Sequence, residues 1–212
     1  DGLLVRSDKF NGRISLLVDL TDGSYDVGVQ GALERFHVPG LGIVDVKTNL
    51  KVVPSSTGQG SRVLGTGQAW VRQWENGFLA SLAGGLPTVQ TGLERGPDGI
   101  LYLRNLRLTA PALSLTGNGL RRRDGTFHFE GSGRQARYGA LALVLEGDIA
   151  RPVLDIRLDR PADGMGLAAV KLHLEPDAAG FGWQASGQSM LGPFEGTGNI
   201  LLPKGGQAVI DI

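Results

Sequence analysis

The chain has 212 residues, and its 21 Lys and Arg balance 21 Asp and Glu, so no net field draws it to nucleic acid or to an anionic surface. It holds no cysteine, which excludes disulfide staples and thiolate metal sites. Glycine, at 34 residues, is used at more than twice the usual frequency of roughly 7 per cent. It lacks a Gly-X-Y period, so a collagen-like helix is excluded as well.

The N-terminal third alternates apolar and polar residues. Ile14, Leu16, Val18 and Leu20 share one face, as do Tyr25, Val27 and Val29, and then Val44, Val46, Leu50 and Val52. A polar loop over Pro54 to Gly60 interrupts the pattern, and strand character returns from Val63 to Trp70. From Asn76, a suitable N-cap, the residues Phe78, Leu79, Leu82 and Ala83 recur at helical spacing until Gly84-Gly85-Leu86-Pro87 stops them. This predicts one short helix near residues 76–84, too short to cover a large sheet and read as a plug packed against it. The expected organisation is a single segment over 1–212, with N-terminal strands at 1–73, the helix and a connector at 74–95, and a regular strand array at 96–212. Because the chain opens on Asp1 and closes on Asp211-Ile212 in mid-strand, it reads as a segment of a longer β-groove protein, with any signal peptide or anchor outside it. No apolar run approaches the roughly 18 residues of a membrane-spanning helix.

From Ile100 onward the period of two is regular. Leu106 to Thr109, Leu113 to Thr116, Phe127 to Glu130, Leu141 to Glu146, Leu154 to Asp159 and Val170 to Glu175 each place greasy residues on one face and polar ones on the other. The dipeptides Asn11-Gly12, Asp22-Gly23, Asp98-Gly99, Asn118-Gly119 and Asp124-Gly125 are read as hairpin turns. Runs of about seven to ten residues between turns imply antiparallel neighbours, since parallel crossovers need longer connections. The fold class is therefore all-β: a long antiparallel meander folded into an open groove, a quasi-one-dimensional array.

Motifs for chemistry are weak. Gly131-Ser132-Gly133-Arg134-Gln135-Ala136 has the form of a dinucleotide fingerprint, but an alternating strand follows where a helix would have to hold the pyrophosphate. His37, His128 and His173 are far apart in sequence and read as surface residues. Glu130, Glu146, Asp155, Asp159 and Glu175, interleaved with Arg107, Arg157 and Lys171, read as cross-strand charge pairs rather than as a glycosidase's paired acids. Arg121-Arg122-Arg123 reads as a solvated hairpin flank. No catalytic residue, metal ligand or cofactor is assigned, and the chain is expected not to be an enzyme.

What remains is the apolar phase, too large a surface for a soluble monomer to expose. A bent sheet would make it a trough for hydrocarbon lined by Leu106, Leu108, Leu113, Leu115, Phe127, Phe129, Leu141, Leu143, Leu145, Leu154, Ile156, Leu158, Leu172 and Leu174. Phe181, Trp183 and Phe194 belong to the same apolar face on this reading. The segments Leu86-Pro87, Thr91-Gly92-Leu93, Leu106 to Leu113, Gly117-Asn118-Gly119, Met190 to Phe194 and Leu202 to Gly206 resemble the C-terminal region of bacterial TamB-type translocation and assembly proteins. Those proteins belong to the AsmA-like group of bridge-like lipid carriers. The resemblance implies a periplasmic β-taco with an inner-membrane anchor outside this segment. It further implies phospholipid acyl chains as cargo, a TamA-like outer-membrane partner of the Omp85 class, and a role in outer-membrane protein assembly. The alternative is a structural or adhesive β-solenoid of a secreted or surface protein, with a sealed apolar core.

Overall fold

The computed structural model describes residues 2–6, 10–18, 25–54, 60–201 and 209–211. Their strands are β1 (Gly2–Arg6), β2 (Phe10–Val18), β3 (Tyr25–Val38), β4 (Gly42–Pro54), β5 (Ser61–Trp74), β6 (Thr88–Arg95), β7 (Leu101–Thr109) and β8 (Leu113–Arg121). They continue as β9 (Phe127–Gln135), β10 (Gly139–Gly147), β11 (Pro152–Leu158), β12 (Ala168–Pro176), β13 (Gly180–Ser189), β14 (Gly192–Leu201) and β15 (Val209–Asp211). All fifteen form one sheet in sequence order, and every adjacent pair is antiparallel. β1 and β15 lie at opposite ends of that order, so the sheet is open rather than a barrel.

The helix α1 spans Gly77–Ala83 between β5 and β6. The Asn76 side chain accepts from Leu79 N at 3.1 Å, satisfying one of the amides that a helix start leaves unpaired. Gly84, in the left-handed region at φ 65, ends the helix by donating its N–H to Ala80 O. Ala112 N donates to Ala83 O at 2.9 Å, Gln135 Nε2 donates to Leu82 O at 3.3 Å, and Trp74 Nε1 donates to Gly85 O at 2.9 Å. The helix is thus pinned to one end of β5, to the β7–β8 loop and to the end of β9, the plug expected from its length.

Two of the expected hairpin turns are strand interior. Asn11-Gly12 lies within β2 and Asn118-Gly119 within β8, whereas Asp98-Gly99 and Asp124-Gly125 do make turns. Asp22-Gly23 falls outside the described residues. The reason is visible at Asn118, whose side chain accepts from Asn105 N at 2.9 Å and secures a bulge in β7. Among the described residues, Asn105 is one of three non-glycine residues with positive φ, with Arg35 and Ala169, and each sits where the pairing register shifts. Each has its N–H taken: Arg35 by Asp45 Oδ1 at 2.7 Å, and Ala169 by Asp159 O at 2.8 Å. Such bulges insert a residue without ending a strand. One of them lies within β3, and another within the β4–β5 pairing; β3 to β5 run to 13 or 14 residues, longer than the seven to ten expected.

Along the apolar face, neighbouring strands close tightly over several glycines. A Cβ built on Gly133 would fall 1.8 Å from Ser114 O, one on Gly117 2.2 Å from Glu130 O, and one on Gly65 2.0 Å from Asn49 O. At these points the neighbouring backbone occupies the space that a side chain would need. Two apolar clusters lie on this face. Leu154, Ile156, Leu174, Phe181 and Ile200 form one, and Leu113, Leu115 and Leu141 form the other, against which Leu82 of the helix packs. Leu174 at 0 % and Phe181 at 1 % exposure are fully enclosed, which a flat single layer would not achieve.

Candidate functional site: the apolar face and its two lips

Strand register lets the apolar face be read as rows crossing the sheet. One row runs Val89, Leu108, Leu115, Gly133, Leu141, Leu158. The next runs Leu106, Gly117, Gly131, Leu143, Ile156, Leu172, Ala185, Gly196. A third runs Leu93, Leu103, Gly119, Phe129, Leu145, Leu154, Leu174, Trp183. The outermost runs Val63, Arg95, Leu101, Arg121, Phe127, Gly147, Pro152. With Leu113 one step along β8 and Phe127 in the outer row, every lining residue expected from the alternation falls on this one face. Leu113, Leu115, Leu141, Leu154, Ile156 and Leu174 are buried, and Leu106, Leu108, Phe127, Phe129, Leu143, Leu145, Leu158 and Leu172 are half-buried.

Sequence reading began the face at Leu106 and missed Leu101 and Leu103, because the bulge at Asn105 shifts the alternation by one residue. Val89, Leu93 and Val63 extend the same rows into the N-terminal strands. The middle row is lined by small residues toward the N-terminus, with Gly12, Gly31, Thr48 and Gly67 in successive register. Toward the C-terminus Leu143, Ile156 and Leu172 fill it. The trough is therefore lower-floored over β2–β5 and packed with its own side chains over β10–β12. Trp183 packs against the second half, and its indole N–H is buried with no acceptor among the described residues.

The reverse face carries most of the charges, and it also holds a hollow of about 710 Å³ across β9–β14, lined by Asp155, Arg157, Lys171, His173 and Glu195 among others. Of the acids expected to make cross-strand charge pairs, Glu146 and Asp155 do so among the described residues, with Arg122, His128 and His173 as partners rather than Arg107, Arg157 or Lys171. Arg157 and Lys171 stand directly opposite each other in register, and Asp155 instead meets His173 at 2.8 Å. Glu146 is held by Arg122 at 2.6 Å and His128 at 2.5 Å, and His37 meets Glu75 at 2.6 Å. The fingerprint-like glycines lie in β9, and a strand, β10, follows them.

Arg122 first, and His128 after it, hold the Glu146 carboxyl below its ordinary value. A carboxylate depressed in the folded state adds stability above its unfolded pKa, and that contribution disappears as pH falls through the folded value. Glu146→Gln is accordingly expected to flatten part of the loss of thermal stability on acidification below about pH 4.5, read by melting at stepped pH. Exposure of the partners keeps the effect small.

The two lips of the trough differ in chemistry. Along one, four successive turns are built on an aspartate accepting from the backbone N–H two residues on: Asp98 from Ile100, Asp124 from Thr126, Asp148 from Ala150 and Asp177 from Ala179, at 2.7 to 3.1 Å. Arginines tie turn to turn, Arg123 donating to Asp98 O and Arg151 to Asp177 O and Gly180 O. The other lip holds α1 and exposes Leu86, Met165, Met190 and Leu191.

The fold and this face define a single-layer, open-edged β-protein with one continuous apolar surface. Comparison with protein-family models, with curated proteins and with solved structures finds no match for the chain. Among the described residues, no helix is long and apolar enough to cross a membrane.

Proposed function

We propose that the apolar trough carries hydrocarbon and that the chain is a non-enzymatic lipid carrier. The observation that carries this reading is the extent of the apolar face: its rows continue from β2 to β14 on a single layer that, among the described residues, no second sheet covers. Soluble monomers do not leave so large an apolar surface without a ligand or partner. The TamB-type resemblance supplies the setting within this proposal: phospholipid moved through the periplasm between inner and outer bacterial membranes, a TamA-like partner, and support of outer-membrane protein assembly. The enclosed cluster around Leu174 and Phe181 favours the scaffold reading for β11–β14 alone, where the interior is already filled.

Leu143 tests the proposal, because it is half-buried in the middle row between the two clusters. Purified wild-type protein is expected to retain acyl lipids in native mass spectrometry, and Leu143→Asp to lose most of them with its β circular-dichroism spectrum intact. Lipid-free wild-type protein, or equal lipid in the variant, would count against the carrier reading.

A further inference from the structure

Three consecutive arginines at the end of β8 go three ways. Arg122 pairs with Glu146 on the polar face, and Arg123 caps the Pro97-Asp98 turn through backbone oxygens. Arg121 turns onto the apolar face, where its guanidinium carbon lies 5.8 Å from the centre of the Phe127 ring directly opposite in register. Two strands away, Arg95 occupies the same outer row, and Leu101 of β7 stands between the two arginines in register. Arg95 Nε donates to Gly99 O at 3.3 Å, and both arginines are exposed.

Among the described residues of β3–β14, these two arginines are the only charged side chains in the apolar phase. No carboxylate shares that phase. The acids of the two adjoining turns on this lip, Asp98 and Asp124, are occupied within their own turns: Asp98 accepts from Ile100 N and the Tyr102 hydroxyl, and Asp124 accepts from Thr126 N and Oγ1. Strand spacing of about 4.8 Å puts the two arginine backbones roughly 10 Å apart, so both guanidinium arms can close on one anion above Leu101. Arginine is suited to this because its planar fork binds phosphate or carboxylate oxygens in pairs.

We propose that Arg95 and Arg121 form an anion-binding mouth on the charged lip, which seats the phosphate or carboxylate head of an amphiphile whose hydrocarbon tail lies along Leu101, Leu103 and Phe129. This deepens the carrier reading and rests on it. It assigns the ligand a class, a single-headed anionic amphiphile, and an orientation, head at the Asp-turn lip and tail toward the middle row.

The test measures binding of the purified 212-residue chain by calorimetry, below micelle-forming concentrations, with palmitoyl lysophosphatidic acid, palmitate, monopalmitoylglycerol and inorganic phosphate. Wild-type protein should bind the two anionic amphiphiles about tenfold or more tightly than the uncharged glyceride, as charge-assisted hydrogen bonds to two arginines allow. Arg95→Gln combined with Arg121→Gln should abolish that preference and leave glyceride binding unchanged, while the double Lys variant keeps part of it. Equal binding of the anionic and uncharged amphiphiles, unaltered in the Gln variant, would overturn the mouth and leave the trough standing. Binding of inorganic phosphate as tight as that of lysophosphatidic acid would make this a free-anion site and overturn the proposal as stated. Binding of none of the amphiphiles would overturn the carrier reading and the mouth together. A far-ultraviolet spectrum matching wild type establishes that the exposed substitutions leave the sheet folded.

Discussion

Leu174→Asp is expected to unfold the C-terminal part of the sheet, and Leu174→Ala to cost about 3 kcal/mol in urea denaturation. Leu174 has no exposed surface and is the centre of the cluster formed with Leu154, Ile156, Phe181 and Ile200. Truncation to alanine leaves a void that the surrounding strands close only in part, because they are held by ladder hydrogen bonds on both sides. A carboxylate there would be buried without a cation, since the apolar phase of β11–β14 holds none, and a buried unpaired charge exceeds what a marginally stable domain tolerates. Leu191→Asp is the matched control. Leu191 is fully exposed at the β13–β14 turn, and its replacement is expected to leave the unfolding midpoint within error. Equal midpoints for Leu174→Ala and wild type would show that the C-terminal cluster is not a core.

The second large effect is expected at Gly133. Gly133→Val places a Cβ where Ser114 O already lies at 1.8 Å and Ser114 C at 2.8 Å, and backbone atoms cannot step aside as a flexible side chain does. The β8–β9 ladder must open, which unpacks Leu113, Leu115 and Leu141. A loss of about 2–4 kcal/mol is expected, with hydrogen-exchange protection falling first in β8 and β9. Gly77→Ala is the contrast. It starts α1, meets nothing within 4 Å, and is expected to be neutral or to add a few tenths of a kcal/mol from helix propensity.

The strands from Leu113 to Glu175 were legible because their alternation is uninterrupted, and a half-wet sheet imposes that period of two on the sequence. The helix was legible through Asn76 and Gly84, whose roles at its ends are local. The bulges were not. A residue such as Asn105 changes the phase of everything before it relative to everything after, and the partner that permits it, Asn118, lies on another strand. For the same reason Asn118-Gly119 looked like a turn: a dipeptide suited to a hairpin is also suited to a bulge partner beside a glycine with a neighbour's backbone close over it. The arginine mouth was hidden in a run of three like residues. Only strand register separates Arg121, in phase with the leucines, from Arg122 and Arg123.

The pairing order has a kinetic consequence. All-β proteins fold slowly when distant segments must meet before any contact stabilises them, but here each strand pairs only with the one before and the one after it in sequence. Loop closure is short at every step, so a single hairpin can nucleate and the sheet can lengthen by adding strands in turn. Refolding should therefore be quick for an all-β chain of this length, and the last strands to join at either end should be the first to leave.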